Sequence, residues 1–240
     1  MAFLRTLYIW AGSSILILVF AVIMRIVSWR ERDPNRMETA RWFRRLGRAI
    51  SKLYPWRIEV SGMENVEPGK AYVIVSNHQS FADIPLISCV PLDAKWIGKA
   101  SLFRLPIAGW MMHASGDIPV EREDSRKAAQ ALLKCARTLR NGISVMMFPE
   151  GTRSRDGELL TFNNGPFRLA IREKTPVLPL LVEGSGAVLP RDSWMFTSHK
   201  RIVLKVLPPV AIDGFGAGGT EALSQHVRAL MQAELDRLRA

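Results

Sequence analysis

The stretch Phe148-Pro149-Glu150-Gly151-Thr152-Arg153-Ser154, taken with the five residues before it, decides how this chain folds. Ile143 to Met147 is apolar apart from Ser144, partly β-branched and preceded by Gly142. That is the composition of a short buried strand. Pro149 and Gly151 stop the strand, and the chain leaves through a turn carrying Thr, Arg and Ser. Such a turn suits an anion, because Arg153 offers a planar fork of N–H groups and the hydroxyls and freed amides add donors. Taken alone, the turn is equally well read as a polar strand-end loop.

A second strand end lies about seventy residues upstream. Ala71 to Ser76 is strand-like and gives out into Asn77-His78-Gln79-Ser80-Phe81-Ala82-Asp83. In one continuous helix His78 and Asp83 would lie about 140° apart. Across a strand-to-helix turn, the carboxylate can fold back onto the imidazole. It then fixes the tautomer and leaves the other ring nitrogen as a general base. A His and an Asp five residues apart are by themselves a weak signal, since a structural histidine gives the same pattern.

The remaining elements alternate. Arg57 to Val60, Ala94 to Ile97 and Gly116 to Arg122 are strand-like. A helix capped by Asp124 or Ser125 runs to Arg140, with Ala128, Leu132, Ala136 and Leu139 expected inward. A short helix follows Gly165-Pro166. Val177 to Val182 is a strand interrupted by Pro179, Arg201 to Leu207 alternates like an edge strand, and Thr220 to Leu238 is a terminal amphipathic helix. This order predicts an α/β fold, a mostly parallel sheet flanked by helices. Ligands in such sheets bind beyond the carboxyl ends of strands, where both motifs fall.

The N-terminus differs in kind. Thr6 to Met24 carries no charge and is long enough to cross a bilayer as a helix. Gly12, Ser13 and Ser14 weaken it, so a helix lying in the membrane stays open as an alternative. Met37 to Tyr54 predicts a second, basic amphipathic helix. Trp42, Phe43, Leu46, Ile50 and Leu53 form its apolar stripe, and Arg41, Arg44, Arg45, Arg48 and Lys52 lie mostly outside it. Trp10, Trp29, Trp42 and Trp56 suit an interfacial belt. The 240-residue chain has a net charge of +11, and residues 1–57 hold 11 Lys/Arg against 3 Asp/Glu, leaving +3 for the other 183. Charge that flanks an apolar segment argues for a membrane and against nucleic acid. With the arginines after the apolar run, the positive-inside rule puts the body on the cytoplasmic face. The expected division is 1–56, N-terminal membrane-associated helices, and 57–240, a catalytic α/β domain. Cys89 and Cys135 are expected reduced and packed, and no metal site is supported.

Together the two loops resemble the first and third sequence blocks of the glycerolipid acyltransferases, specifically the 1-acylglycerol-3-phosphate O-acyltransferases. Lys99 with Ser101-Leu102-Phe103, Gly116 to Arg122, and Thr175 to Pro179 fall where that family has further blocks. The resemblance covers roughly residues 70 to 185. It implies His78 as general base and Asp83 as its orienting partner. Glu150, Gly151, Thr152 and Arg153 would line the acceptor site, and Arg153, Arg122 and Lys99 would hold phosphate. It also implies a lysophospholipid acceptor and an acyl-CoA or acyl-carrier-protein co-substrate, with no other cofactor. Leu102 to Met112 is expected either in an acyl groove or in plain core. Asn163-Asn164-Gly165 departs from the family, whose members often carry lysines there; lyso-ornithine lipid is therefore an alternative acceptor.

Other readings are weaker. A serine hydrolase needs Gly-x-Ser-x-Gly, and Gly184-Ser185-Gly186 does not supply it. Gly214, Gly216 and Gly219 match Gly-x-Gly-x-x-Gly without the strand context of a dinucleotide site. A non-catalytic membrane scaffold would have no use for His78 and Asp83. His113, His199 and His226 lack carboxylate partners at useful spacing and are expected to be structural.

Overall fold

In the computed structural model, residues 1–121, 123–198, 201–216 and 218–240 are described. The chain opens with α1 (Ala2–Arg30) and α2 (Met37–Ser51), followed by β1 (Arg57–Ser61), β2 (Val73–Ser76), α3 (Asp83–Ile87) and β3 (Ala94–Lys99). Next come α4 (Pro106–Ala114), β4 (Ile118–Val120), α5 (Ser125–Arg140) and β5 (Ser144–Met147). The last elements are α6 (Gly165–Arg172), β6 (Val177–Glu183), α7 (Ser185–Val188), β7 (Arg201–Val206) and α8 (Thr220–Arg239).

The strands form one sheet in the order β1-β7-β6-β2-β5-β3-β4. Every pairing is parallel except β6 with β7. β2 and β5 are neighbours near the middle, in register Val73↔Val145 to Val75↔Met147, so their carboxyl ends open side by side. All four residues of each are buried, as expected for strands covered on both faces. One face packs on α5, α6 and α8 through residues such as Cys135, Phe167 and Val227; the other packs on α3 and the N-terminal segment through Leu86, Tyr54 and Ile9.

Several expectations need correction. Arg201–Val206 is an interior strand between β1 and β6; β1, half-exposed, is the edge. Pro179 does not interrupt β6 but sits one residue before the antiparallel ladder begins at Leu180↔Val206. Its missing N–H therefore falls beside the end of the β7 pairing. In α5, Ala136 and Leu139 are buried as expected and Leu132 packs half-buried on the core, but Ala131 and Cys135 complete the stripe in place of Ala128; Asp124 caps the Lys127 N–H at 3.0 Å. The two cysteines are free, and burial pushes the Cys135 thiol up to about 12.

The N-terminal helices also differ from expectation. α1 runs unbroken for 29 residues, about 43 Å at 1.5 Å per residue. Among the described residues it is the helix long and apolar enough to cross a membrane. Its small residues are packing surface rather than weak points: Ser13 is buried, and Gly12 faces the Leu53 side chain. Trp56 is buried against Tyr54 and Phe196, not in an interfacial belt. The basic face of α2 is not wholly solvated, because Arg44 turns inward to pair with Asp117.

Candidate active site

The loop after β2 is fixed almost entirely by hydrogen bonds to named partners. Asn77 is buried, and its amide both donates to the Val182 carbonyl and accepts from the Val182 N–H, each at 2.8 Å, which fastens the loop to β6. Ser80 Oγ donates to the Leu189 carbonyl at 2.7 Å. α3 then starts at Asp83, whose carboxylate points back over the loop. One oxygen, Oδ2, lies 2.7 Å from His78 Nδ1 and accepts the backbone N–H groups of Gln79 at 2.8 Å and Ser80 at 3.0 Å. Three partners on one oxygen fix the carboxylate in place and, through it, hold the imidazole in one orientation.

The loop after β5 closes on the same histidine. The His78 N–H donates to Glu150 Oε1 at 3.1 Å, and the His78 carbonyl accepts the Ser154 N–H at 2.7 Å. Both backbone groups of His78 are thus held by the Phe148–Ser154 stretch. The Phe148 ring stacks on the imidazole with centroids 4.0 Å apart and planes 18° apart. Buried Glu150 has its carboxyl pushed up to about 7, chiefly by burial and against the His78 N–H bond. Among the described residues, His78 Nε2 has no protein partner, and the imidazole borders an open cavity.

That cavity holds about 400 Å³. Of the residues singled out from sequence, it brings together His78, Lys99, Gly151, Thr152 and Arg153. The Arg153 guanidinium lies 4.1 Å over the Phe81 ring, and the Arg153 carbonyl accepts from Arg191 at 2.7 Å. Asp83 is fully buried behind His78 and does not reach the cavity. Glu150 is a correction: it turns inward beneath the His78 backbone instead of lining the cavity, because its carboxylate is the acceptor for that N–H. Arg122 falls outside the described residues. Leu102 and Met112 line the apolar end with Ile84 and Trp96. Asn163 and Asn164 do not line it; their amides bond the Pro149 carbonyl and Glu221.

Two wall residues carried no readable signal. Arg44 of α2 and Asp117, just before β4, form an ion pair at the cavity edge, and the Trp96 N–H donates to Asp117 Oδ1 at 2.9 Å. The Arg44 guanidinium lies 4.6 Å over the Trp96 ring. In sequence, Arg44 is one of five basic residues on one helix, and nothing local distinguishes it.

The sequence model of the family described as Acyltransferase matches residues 57–183, which include both loops. The chloroplastic 1-acyl-sn-glycerol-3-phosphate acyltransferase of Arabidopsis thaliana is 36% identical over 180 residues, 74% of this chain and 50% of that protein. The chain thus spans about half the length of that chloroplast relative. The mouse 1-acyl-sn-glycerol-3-phosphate acyltransferase alpha is 32% identical over 224 residues, 89% of this chain and 75% of that one. The crystal structure of the 1-acyl-sn-glycerophosphate acyltransferase PlsC from Thermotoga maritima matches with a TM-score of 0.86 at 28% identity, covering 100% of this chain and 96% of the other. By its sequence through both site loops and its fold along the whole length, this chain belongs to the acyltransferase family that includes the 1-acyl-sn-glycerol-3-phosphate acyltransferases.

Proposed function

We propose that this protein moves an acyl group from an acyl thioester, acyl-CoA or acyl-carrier protein, to the free sn-2 hydroxyl of 1-acylglycerol-3-phosphate, giving phosphatidic acid. The observation that carries the reading is the 2.7 Å contact between His78 Nδ1 and Asp83 Oδ2, with the imidazole bordering a cavity that Lys99 and Arg153 also line. Asp83 keeps the proton on Nδ1, so Nε2 is the basic nitrogen. It takes the hydroxyl proton as the oxygen attacks the thioester carbonyl. The C–S bond then breaks, and the imidazolium returns its proton to the departing thiolate. A thioester is already activated, so neither a nucleophilic side chain nor a further cofactor is needed.

Lys99 and Arg153 supply fixed positive charge for the acceptor's phosphate. The apolar end, with Ile84, Trp96, Leu102 and Met112, takes hydrocarbon. Asn163 and Asn164 do not line the cavity, so the lack of lysines there does not favour another head group. The apolar α1 keeps the enzyme membrane-bound with the site on the cytoplasmic face, in reach of a lysophospholipid in the bilayer.

The test is an acyl-transfer assay with labelled acyl-CoA and acyl-carrier protein against a panel of lysolipids. Wild type should yield phosphatidic acid, and His78→Ala should lose about 10³-fold or more of the turnover while sedimenting with membranes as before. Full turnover by His78→Ala would remove the mechanism; acylation only of a lysolipid without phosphate would remove the acceptor.

A further inference from the structure

A second cavity, of about 690 Å³, touches α4 through Trp110, His113 and Ala114 and shares no lining residue with the reaction chamber, which α4 reaches through Met112. It lies between the last turns of α1, the turn into α2 and the end of α4. Arg25, Ser28, Trp29, Arg36, Trp110 and His113 line it, and among the described residues no acidic side chain does. The nearby acids are committed elsewhere: Glu31 accepts the Glu38 N–H at 2.6 Å and the Thr39 N–H at 3.1 Å, and Asp33 accepts those of Asn35 and Met37. The Arg25 guanidinium sits 6.0 Å from the Trp110 ring centroid and has no hydrogen-bond or ion-pair partner among the described residues.

Arg36 is held in a strained backbone conformation. Its φ of 54° lies in the left-handed region, which a long side chain seldom adopts. Two contacts keep it there: its carbonyl accepts Lys95 Nζ at 3.1 Å, and its guanidinium donates to the Ser28 carbonyl at 2.8 Å. The remaining N–H groups of that guanidinium are free to meet a ligand. Beside the cavity the outer face of α1 is apolar and exposed at Val22, Ile26 and Trp29. One ligand chemistry fits two cations with aromatic flanks at the polar end of an apolar helix.

We propose that this groove binds the phosphate group of an anionic phospholipid, with its acyl chains lying along α1, as a site separate from the reaction chamber. Arg25 and Arg36 grip the phosphate, Trp29 and Trp110 flank the glycerol, and Ile26 begins the path of the chains. The site answers to the charge of the surrounding membrane and does not depend on acyl transfer.

The test uses the full chain and water-soluble dihexanoylphosphatidylglycerol below its micelle concentration, with binding followed by calorimetry. Wild type should bind one molecule saturably, and Arg25→Gln should weaken this about tenfold, as expected for one charge-assisted contact. Arg36→Asn, which suits the left-handed backbone, should do the same with the melting temperature preserved. Arg30→Gln/Arg32→Gln, twice the charge loss of either single variant and nearby but outside the groove, should change binding little, and Arg153→Ala should leave it intact. The proposal is overturned if Arg25→Gln and Arg36→Asn bind like wild type, or if the outside pair loses as much. Loss of binding in Arg153→Ala would assign the lipid to the reaction chamber, and equally tight binding of inorganic phosphate would make the occupant a free phosphate; either result also overturns it.

Discussion

The loop around His78 and the N-terminal helix pair both reach one cavity, the pair through Phe43 and Arg44 of α2, and they are built by opposite means. The reacting pair of the loop is specified within a few residues: Asp83 gathers His78, Gln79 and Ser80 onto a single oxygen, all within five positions of chain. The helix pair is apolar on the exterior of α1 and packs through large side chains, Met24, Leu46, Phe20 and Trp42, with Gly12 allowing the approach of Leu53 and Gly47 that of Ser88 at the end of α3. Its one contribution to the chamber's charge, Arg44, meets a partner 73 positions away. Short-range polar geometry shows in sequence as a motif, whereas long-range packing shows only as composition.

This contrast can be broken in order of expected effect. Asp83→Asn should release the imidazole from its tautomer and lower kcat by about 10³-fold, read in steady-state assays; a kcat near wild type would mean the loop does not depend on that carboxylate. Arg44→Ala should act on stability, because it strands the Asp117 carboxylate, whose side chain is 1% exposed, without its cation. Removing one partner of a buried pair costs about 3–5 kcal/mol; a chemical-denaturation difference under 1 kcal/mol would show that α2 is loosely attached.

Glu150→Gln sharpens the comparison through pH. Burial holds the Glu150 carboxyl near 7, above its ordinary 4.5. The folded protein therefore binds a proton that the unfolded chain releases, and this group's contribution to stability falls as pH rises from about 4.5 to about 7. The variant should lose that slope, a change on the order of 2–3 kcal/mol across the window, seen by melting at pH 5 and pH 7.5. An identical slope in both proteins would place Glu150 outside the linkage. The smallest effect is expected from Gly47→Ala, where an added methyl would come 2.4 Å from Ser88 Oγ. Overpacking of this kind costs about 1–2 kcal/mol, and an unchanged melting temperature would mean that α2 and α3 can separate without loss.

The site's legibility follows the same division. His78 with Asp83, and Gly151 to Arg153, were readable because the reacting atoms and their supports are close in sequence and end adjacent strands. Glu150 was readable as a motif member but not as a backbone support, since its acceptor role depends on β2 and β5 lying side by side. Arg191, which fixes the Arg153 carbonyl, follows Pro190 in a loop with no pattern that foretells the contact. The alternation over Arg201 to Leu207 predicts an edge strand, yet β1 covers it; alternation reports the faces of a strand and says nothing about its neighbours.

By itself, the amino-acid sequence determined the alternation of strands and helices, the two strand-end loops and the apolar N-terminus, because periodicity, turn residues and hydropathy are local properties of the chain. Only the tertiary structure decided that both backbone groups of His78 are held by the second loop, that Arg44 leaves a basic helix face to meet Asp117, and that Gly12 and Ser13 are packing surface. Those outcomes depend on which segments lie opposite one another, and the cost of burying an unpaired charge or an unfilled space is settled only when they meet.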